Sequence, residues 1–298
     1  MLSNLTIKGL QEFHEKDKDQ GVVRTYMYYK GTGHHIYTDK QEIDLIKTHT
    51  WGKMLFLDGV LQSTTRDEII YHNALVHPLM DLLKSKDLIL ILGGGEGATA
   101  REVLRWRAVH KATMIDYDQE LVDFIRLHGP EWSMGAFCDP RLMVQYDDAW
   151  DYIMNKAIRY DGVIIDLTDP DVVDDKTFVL IESALNLVQP AKGAFVMNAG
   201  HYVPWNTIKL REIYNMVKFI CSRVPDYKYI IYTAYVPSFN GDWTFIMVYH
   251  SSCKTPDPEN LEIIPDWIRR KIRVLDPIML DYSDYSEYSL IPKATPIG

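Results

Sequence analysis

The chain reads as an α/β protein in which a mostly parallel sheet, covered by helices on both faces, follows a small antiparallel β unit. Three observations predict this. Residues 88–92, Leu-Ile-Leu-Ile-Leu, form an unbroken apolar run that leads into Gly93-Gly94-Gly95-Glu96-Gly97 and then a helical pattern. Further apolar runs of strand length follow, alternating with helical segments, as expected of strands buried on both faces. Ahead of the glycine loop, short segments rich in β-formers are joined by turn residues.

Taken in order, residues 22–29 (Val-Val-Arg-Thr-Tyr-Met-Tyr-Tyr) are rich in β-formers, and residues 41–50 roughly alternate polar and apolar. Residues 53–57 end in Asp58-Gly59, a dipeptide suited to a tight hairpin, and 60–63 resume a strand. From Arg66 the period changes. Residues 67–84 are helical, with Ile69, Ile70, Ala74, Leu75 and Leu79 giving an apolar side and Pro78 a place to kink. Strands at 88–92, 112–116, 141–146, 162–165 and 194–198 precede helices at 98–107, at 119–127, from about 148, at 177–188 and at 205–224. Segments 229–236 and 243–249 have no helix between them, so the last strand is expected to run antiparallel to its neighbour. After Ser251 a Pro- and acid-containing tail carries one helical piece, 266–272. The expected organisation is a small β domain over residues 1–65, whose exposed strand edges predict burial against another copy of the chain, and a Rossmann-like α/β domain with its tail over 66–298.

Composition narrows the function. With 298 residues, 47% hydrophobic and 24% charged, the chain has the make-up of a globular protein with a sizeable core. The net charge of -9 argues against a nucleic-acid backbone as partner. It suits cationic small molecules if the acids converge, and otherwise serves solubility. Cys138, Cys221 and Cys253 are odd in number and have no CxxC spacing, which predicts buried free thiols in a reducing, cytoplasmic setting. Residues 1–21 contain no signal-peptide apolar run, and 88–92 is far too short to span a bilayer.

The residues with chemical potential sit at strand ends. In the glycine loop, Gly93 and Gly95 let a ligand approach backbone, and Asp116 at the end of the next strand is placed for ribose hydroxyls. Glu96 within that loop opposes a pyrophosphate, since like charges ~4 Å apart repel by about 4 kcal/mol at an effective dielectric of ~20. It therefore points to a ligand that is cationic there, and it also complements the dipole of the following helix. Asp147-Asp148-Ala149 follows the third strand. There Asp148 suits an adenine amino group and equally suits a helix N-cap. Asp166-Leu167-Thr168-Asp169-Pro170 follows the fourth, putting two carboxylates at the carboxyl edge of the sheet, where ligands bind in open α/β folds. Tyr71-His72 on the first helix reads by itself as a packing pair, and no metal spacing emerges from the histidines. The segment Pro237-Ser238-Phe239-Asn240-Gly241-Asp242-Trp243 is either a plain hairpin loop or the aromatic wall of a pocket for an alkyl amine.

These motifs, in this order, resemble the polyamine aminopropyltransferases of the spermidine-synthase family. The resemblance runs from about Gln41 to Trp243. It rests on Leu57-Asp58-Gly59 with Gln62, Arg66-Asp67-Glu68 with Tyr71-His72, the glycine loop, Asp116-Tyr117-Asp118, Asp139-Pro140-Arg141, Asp147-Asp148-Ala149 and Asp166-Leu167-Thr168-Asp169-Pro170. The glycine-loop Glu96, Pro130-Glu131-Trp132 and Asp166-Leu167-Thr168-Asp169-Pro170 look closest to the thermospermine-synthase and bacterial thermophile triamine or agmatine aminopropyltransferase branches. The resemblance implies a Rossmann-like, methyltransferase-type sheet of seven strands behind the N-terminal β domain. It implies no cofactor or metal, with decarboxylated S-adenosylmethionine as co-substrate. Gln41, His72, Gly93, Gly95, Glu96, Asp116, Asp148 and Ala149 would hold that donor. Asp116 would take its ribose, Asp148 its adenine and Glu96 its amine. Asp166 would orient and deprotonate the attacking amine with Tyr71 beside it, and Asp169, Phe239 and Trp243 would bind the acceptor. The partners implied are a polyamine and a nucleoside sulfonium, with neither nucleic acid nor membrane, in a homodimer or homotetramer.

The sequence departs from the spermidine synthases at the acceptor end. Phe239 stands where they have a Tyr, and Asn198-Ala199-Gly200 stands for their Gln-Gly-Glu. The loop after Pro170 reads Asp171-Val172-Val173-Asp174-Asp175. A longer acceptor than putrescine, such as agmatine or spermidine, is therefore favoured. Two other readings stay open: an S-adenosylmethionine-dependent methyltransferase on the same sheet, and a non-catalytic polyamine-binding homologue.

Overall fold

The computed structural model describes residues 9–17, 21–155, 158–168, 173–203 and 207–276. Two sheets organise them. The first is antiparallel, with β1 (Leu10–Asp17), β2 (Val22–Tyr29), β4 (Glu42–Thr48), β5 (Gly52–Leu57) and β6 (Val60–Thr64) side by side, and β3 (His34–Tyr37) paired to β4. Asp58 and Gly59 both take positive φ, 49° and 75°, and Leu57 pairs with Val60 across them, as a two-residue hairpin turn requires.

The second sheet has the order β14-β12-β13-β11-β10-β7-β8-β9. Its parallel strands are β7 (Leu88–Gly93), β8 (Lys111–Asp116), β9 (Leu142–Tyr146), β10 (Gly162–Asp166) and β11 (Ala194–Tyr202). Between them run α2 (Ala98–Leu104), α3 (Gln119–His128), α4 (Pro130–Ser133), α5 (Ala149–Asn155) and α6 (Asp175–Leu187), with α1 (Glu68–Leu82) ahead of the sheet. After α7 (Ile208–Arg223), β12 (Tyr227–Val236) and β13 (Gly241–His250) form a hairpin. β13 inserts antiparallel between β11 and β12, so the expected reversal of direction is present on both its sides.

The seven expected strands are joined by a short eighth, β14 (Ile272–Val274), which pairs with β12 at the edge. The helix expected over 266–272 is shorter, α8 (Asp266–Arg269), because Ile272 extends to pair with Ala234. α1 stops at Leu82 with Pro78 inside it. The start of the helix expected at 205 falls outside the described residues, and α7 begins at Ile208.

Alternation along the buried strands builds two cores. Ile89 and Ile91 face α1 and α2, while Leu90 and Leu92 face α5, α6 and α7. The antiparallel sheet is fastened to the larger unit by two buried hydrogen bonds and one more exposed ion pair. Trp132 Nε1 donates to Ser63 Oγ at 2.7 Å, and Gln41 Nε2 donates to Asp118 Oδ2 at 2.8 Å. Lys53 Nζ lies 2.7 Å from a Glu131 carboxylate oxygen. The N-terminal sheet is thus seated beside the carboxyl ends of β7 and β8. Among the described residues no helix is long and apolar enough to cross a membrane.

Candidate active site

The glycine loop must be glycine for local reasons. Gly93 has φ +82°, and a Cβ there would sit 2.2 Å from the carbonyl oxygen of Asp166. Gly95 lies so close to Asp116 that a Cβ would be 2.8 Å from its Oδ2. The loop therefore folds down between the ends of β10 and β8, and Gly94 N donates to the Asp166 carbonyl at 3.2 Å.

Around that loop, α1 delivers Tyr71 and His72 while β10 delivers Asp166. Tyr71 Oη donates to Asp166 Oδ1 at 2.9 Å, and Thr99 Oγ1 donates to Oδ2 at 2.5 Å. His72 Nε2 bonds Glu96 Oε1 at 2.9 Å, and its Nδ1 bonds Glu68 Oε2 at 2.8 Å. One ligand-type atom each from His72, Glu96 and Asp166 all lie within 4.8 Å of one another. That spacing would admit a small cation. The His72 ring, however, has a carboxylate on each nitrogen. Burial alone would strip its proton, but the hydrogen bonds to Glu68 and Glu96 outweigh burial and hold its pKa well above the ordinary value. An imidazolium has no lone pair for a metal. The cluster is two carboxylates flanking a cationic ring, and it suits an organic cation better than a metal ion.

Behind His72 runs an ion-pair chain that sequence reasoning did not single out. Arg101 grips Glu68 with two parallel bonds of 2.8 Å, and its Nε donates to Glu102 at 2.8 Å. Burial would raise Glu68, but His72 and Arg101 hold its pKa below the ordinary value. For Glu102, burial is likewise overcome by His77 and Arg101, down to about 2. The Glu68–His72 pair has the i,i+4 spacing of one helix face, a signal that was present in the sequence. Thr99 left no such signal, since a Thr in a first helical turn reads as an end-of-helix residue. Because the Arg101–Glu68 pair is largely buried, Arg101→Leu is expected to lower unfolding free energy by about 3 kcal/mol, read from urea denaturation midpoints.

The other expected residues divide. Asp116 is buried on the same rim. Burial raises its pKa to about 6, with the Asp118 amide opposing and Glu96 adding to the rise. Phe239 lies 6.2 Å from Tyr71 and 4.6 Å from Trp243 between ring centroids, so the three make one aromatic wall. Asp67 holds that wall in place by accepting from Ser238 N at 2.7 Å and Ser238 Oγ at 2.9 Å. Gln41 is buried near the rim, but its amide is committed to Asp118. Asp148 is exposed, and its Oδ1 accepts from Trp150 N at 2.7 Å, so in this structure it acts at the start of α5. Ala149 beside it is buried. Asp169 lies outside the described residues.

Residues 68–257 match the family model described as Spermine/spermidine synthase domain, and residues 16–65 match the one described as Spermidine synthase tetramerisation domain. The chain belongs to the spermine/spermidine synthase family. Within that family it is 42% identical over 212 residues to a polyamine aminopropyltransferase of Aeropyrum pernix, spanning 70% of this chain and 65% of that protein. It is 35% identical over 237 residues to one of Sulfolobus acidocaldarius, spanning 78% and 75%. The fold is similar to the solved spermidine synthase from Thermotoga maritima, with TM-score 0.71 and 23% identity over 83% of this chain and 80% of that one. It is also similar to a spermidine synthase in complex with the transition state analogue AdoDATO, with TM-score 0.72 and 24% identity over 83% and 82%. In family terms, the cluster formed by Tyr71, His72, Glu96 and Asp166 lies within the part of the chain matched as the synthase domain.

Proposed function

We propose that this protein transfers the aminopropyl group of decarboxylated S-adenosylmethionine to an amine and releases 5′-methylthioadenosine. The observation that carries this reading is the convergence of Glu96 and Asp166 on one small space beside the glycine loop. Glu96 receives the donor's ammonium, and the same charge repels the carboxylate of ordinary S-adenosylmethionine. Asp116 takes the ribose. Gly93 and Gly95 admit the nucleoside to the loop, with His72 holding Glu96 in place. Gln41, Asp148 and Ala149 complete the rim on the adenosine side, where the capping bond of Asp148 leaves its second oxygen for an adenine amino group.

Asp166, steadied by Tyr71, orients the acceptor and removes its proton. A primary amine with a pKa near 10.4 needs ~4–5 kcal/mol to become neutral at pH 7, and a base placed beside it reduces that cost. The nitrogen pair attacks the methylene carbon next to sulfur. The C–S pair returns to sulfur, turning the sulfonium into a neutral thioether.

Spermidine and agmatine fit the acceptor side better than putrescine. Asn198 is uncharged and already engaged, accepting from Trp243 Nε1 at 2.6 Å and from Gly200 N at 2.9 Å. Phe239 and Trp243 form an apolar wall there, and Asp169 is assigned to holding the acceptor. Turnover of an amine panel with the decarboxylated donor tests this. Higher kcat/KM for spermidine or agmatine than for putrescine is expected, and a clear putrescine preference contradicts it. The N-terminal unit, residues 1–65, is assigned to assembly of a cytoplasmic homodimer or homotetramer, which sedimentation at micromolar concentration checks.

Donor affinity is expected to fall as pH drops through about 6, where Asp116 takes up a proton and loses its grip on ribose hydroxyls. In the free protein the same group acts in the opposite sense. Its folded pKa is raised, so its contribution to stability declines as pH rises from the ordinary carboxylate range through about 6. Calorimetric titration of the donor between pH 5 and pH 8 reads the first effect directly.

A further inference from the structure

Thr99 is fully buried in the first turn of α2, and its hydroxyl donates to Asp166 Oδ2 at 2.5 Å. The loop backbone passes over this bond at Gly94, where a Cβ would lie 3.3 Å from Asp166 Oδ2 and 3.5 Å from Thr99 Cβ. The other carboxylate oxygen, Oδ1, accepts from Tyr71, a side chain at the edge of the core that lines the space under Phe239. The two oxygens of Asp166 are thus unequal. One lies beneath the loop against a donor that has no other bonded acceptor among the described residues, and the other is bonded to Tyr71, a member of the aromatic wall.

We propose that Thr99 is a positioning residue that reserves Oδ2 of Asp166 as an acceptor and directs the proton of the incoming amine to Oδ1. This rests on the reading of Asp166 as the base. In the transfer step the amine N–H bond breaks and an O–H bond forms on Oδ1. The freed nitrogen pair forms the new C–N bond, and the C–S pair leaves with sulfur. The Thr99 proton stays on its own oxygen throughout, and the Tyr71 hydroxyl turns away from Oδ1 as that oxygen is protonated.

The groups facing Asp166 fix the sign of the effect. They are Tyr71 and His72 from α1, Glu96 from the loop, Thr99 from α2 and Asp116 from the end of β8. Burial and then Glu96 push the Asp166 pKa up, while His72, Thr99 and Tyr71 draw it down. Removing the Thr99 hydroxyl takes a donor from the ionised form, so activity is lost first on the acid side.

The test is Thr99→Val, of nearly equal volume, beside Thr99→Ser, which keeps the hydroxyl, with kcat/KM for the acceptor measured from pH 6 to pH 9.5. The titration of the free amine is common to all variants, so the ratio of variant to wild type isolates the enzyme. For Thr99→Val the ratio is expected to fall at least ~10-fold at pH 6.5 and to recover toward one at high pH, with donor affinity within about twofold. For Thr99→Ser it stays near one throughout. A Thr99→Val ratio that is low but flat with pH means a packing role only and overturns the proposal, as does a ratio near one at every pH. Thr99→Ala serves the same comparison if the Val variant does not fold. Turnover persisting in Asp166→Asn overturns the reading of Asp166 beneath it, which separates the two failures.

Discussion

Asp166→Asn is expected to lower kcat by at least ~10³-fold while donor affinity stays within about threefold. The substitution keeps the shape and one oxygen, so Tyr71 or Thr99 retains a partner. It removes the only function the amide cannot supply, which is taking a proton from the attacking nitrogen. Stopped turnover with intact donor binding also separates an enzyme from a protein that only binds polyamines. Rapid-quench product analysis and calorimetric donor titration give the two numbers. A kcat within tenfold of wild type removes Asp166 from the proton-transfer step.

Glu96→Gln is expected to weaken decarboxylated S-adenosylmethionine by ~100-fold, equivalent to about 2.7 kcal/mol. The loss has a counterpart in specificity, because Gln no longer repels the carboxylate of ordinary S-adenosylmethionine. The ratio of the two affinities should therefore collapse further than either affinity alone. His72 adds to the effect. Its Nε2 bond to Glu96 becomes a bond to a neutral amide, and the imidazolium is left with Glu68 as its single carboxylate. Competitive titration of the two nucleosides against the variant measures the collapse. An unchanged ratio would mean that selection against the carboxylate is made elsewhere.

Much of this site was legible in the chain because strand ends are legible. An apolar run followed by glycines locates β7 and its loop, and the three runs of β8, β9 and β10 lead into acids, Asp116, Asp148 and Asp166, that topology must bring to the same rim. Thus Glu96, Asp116 and Asp166 meet although they are far apart in sequence. Other features depend on partners that no local pattern reveals. β1 is mostly polar and largely exposed, so it carries no apolar period, and only its pairing with β2 makes it a strand. Ile272 falls within the helix expected over 266–272, yet the edge of β12 captures it. Asp148 was equally suited to a ligand and to a helix start, and its bond to the Trp150 amide shows the second use in this structure. Thr99 and Arg101 gain their meaning from Asp166 and Glu68, 67 and 33 residues away, distances over which periodicity says nothing.

The most direct test of the central claim, that this acidic crevice transfers an aminopropyl group, offers the protein both nucleosides together with spermidine and follows the nucleoside released. The account predicts 5′-methylthioadenosine in step with an amine lengthened by one aminopropyl unit, drawn from the decarboxylated donor alone. Release of S-adenosylhomocysteine with a methylated product would contradict it.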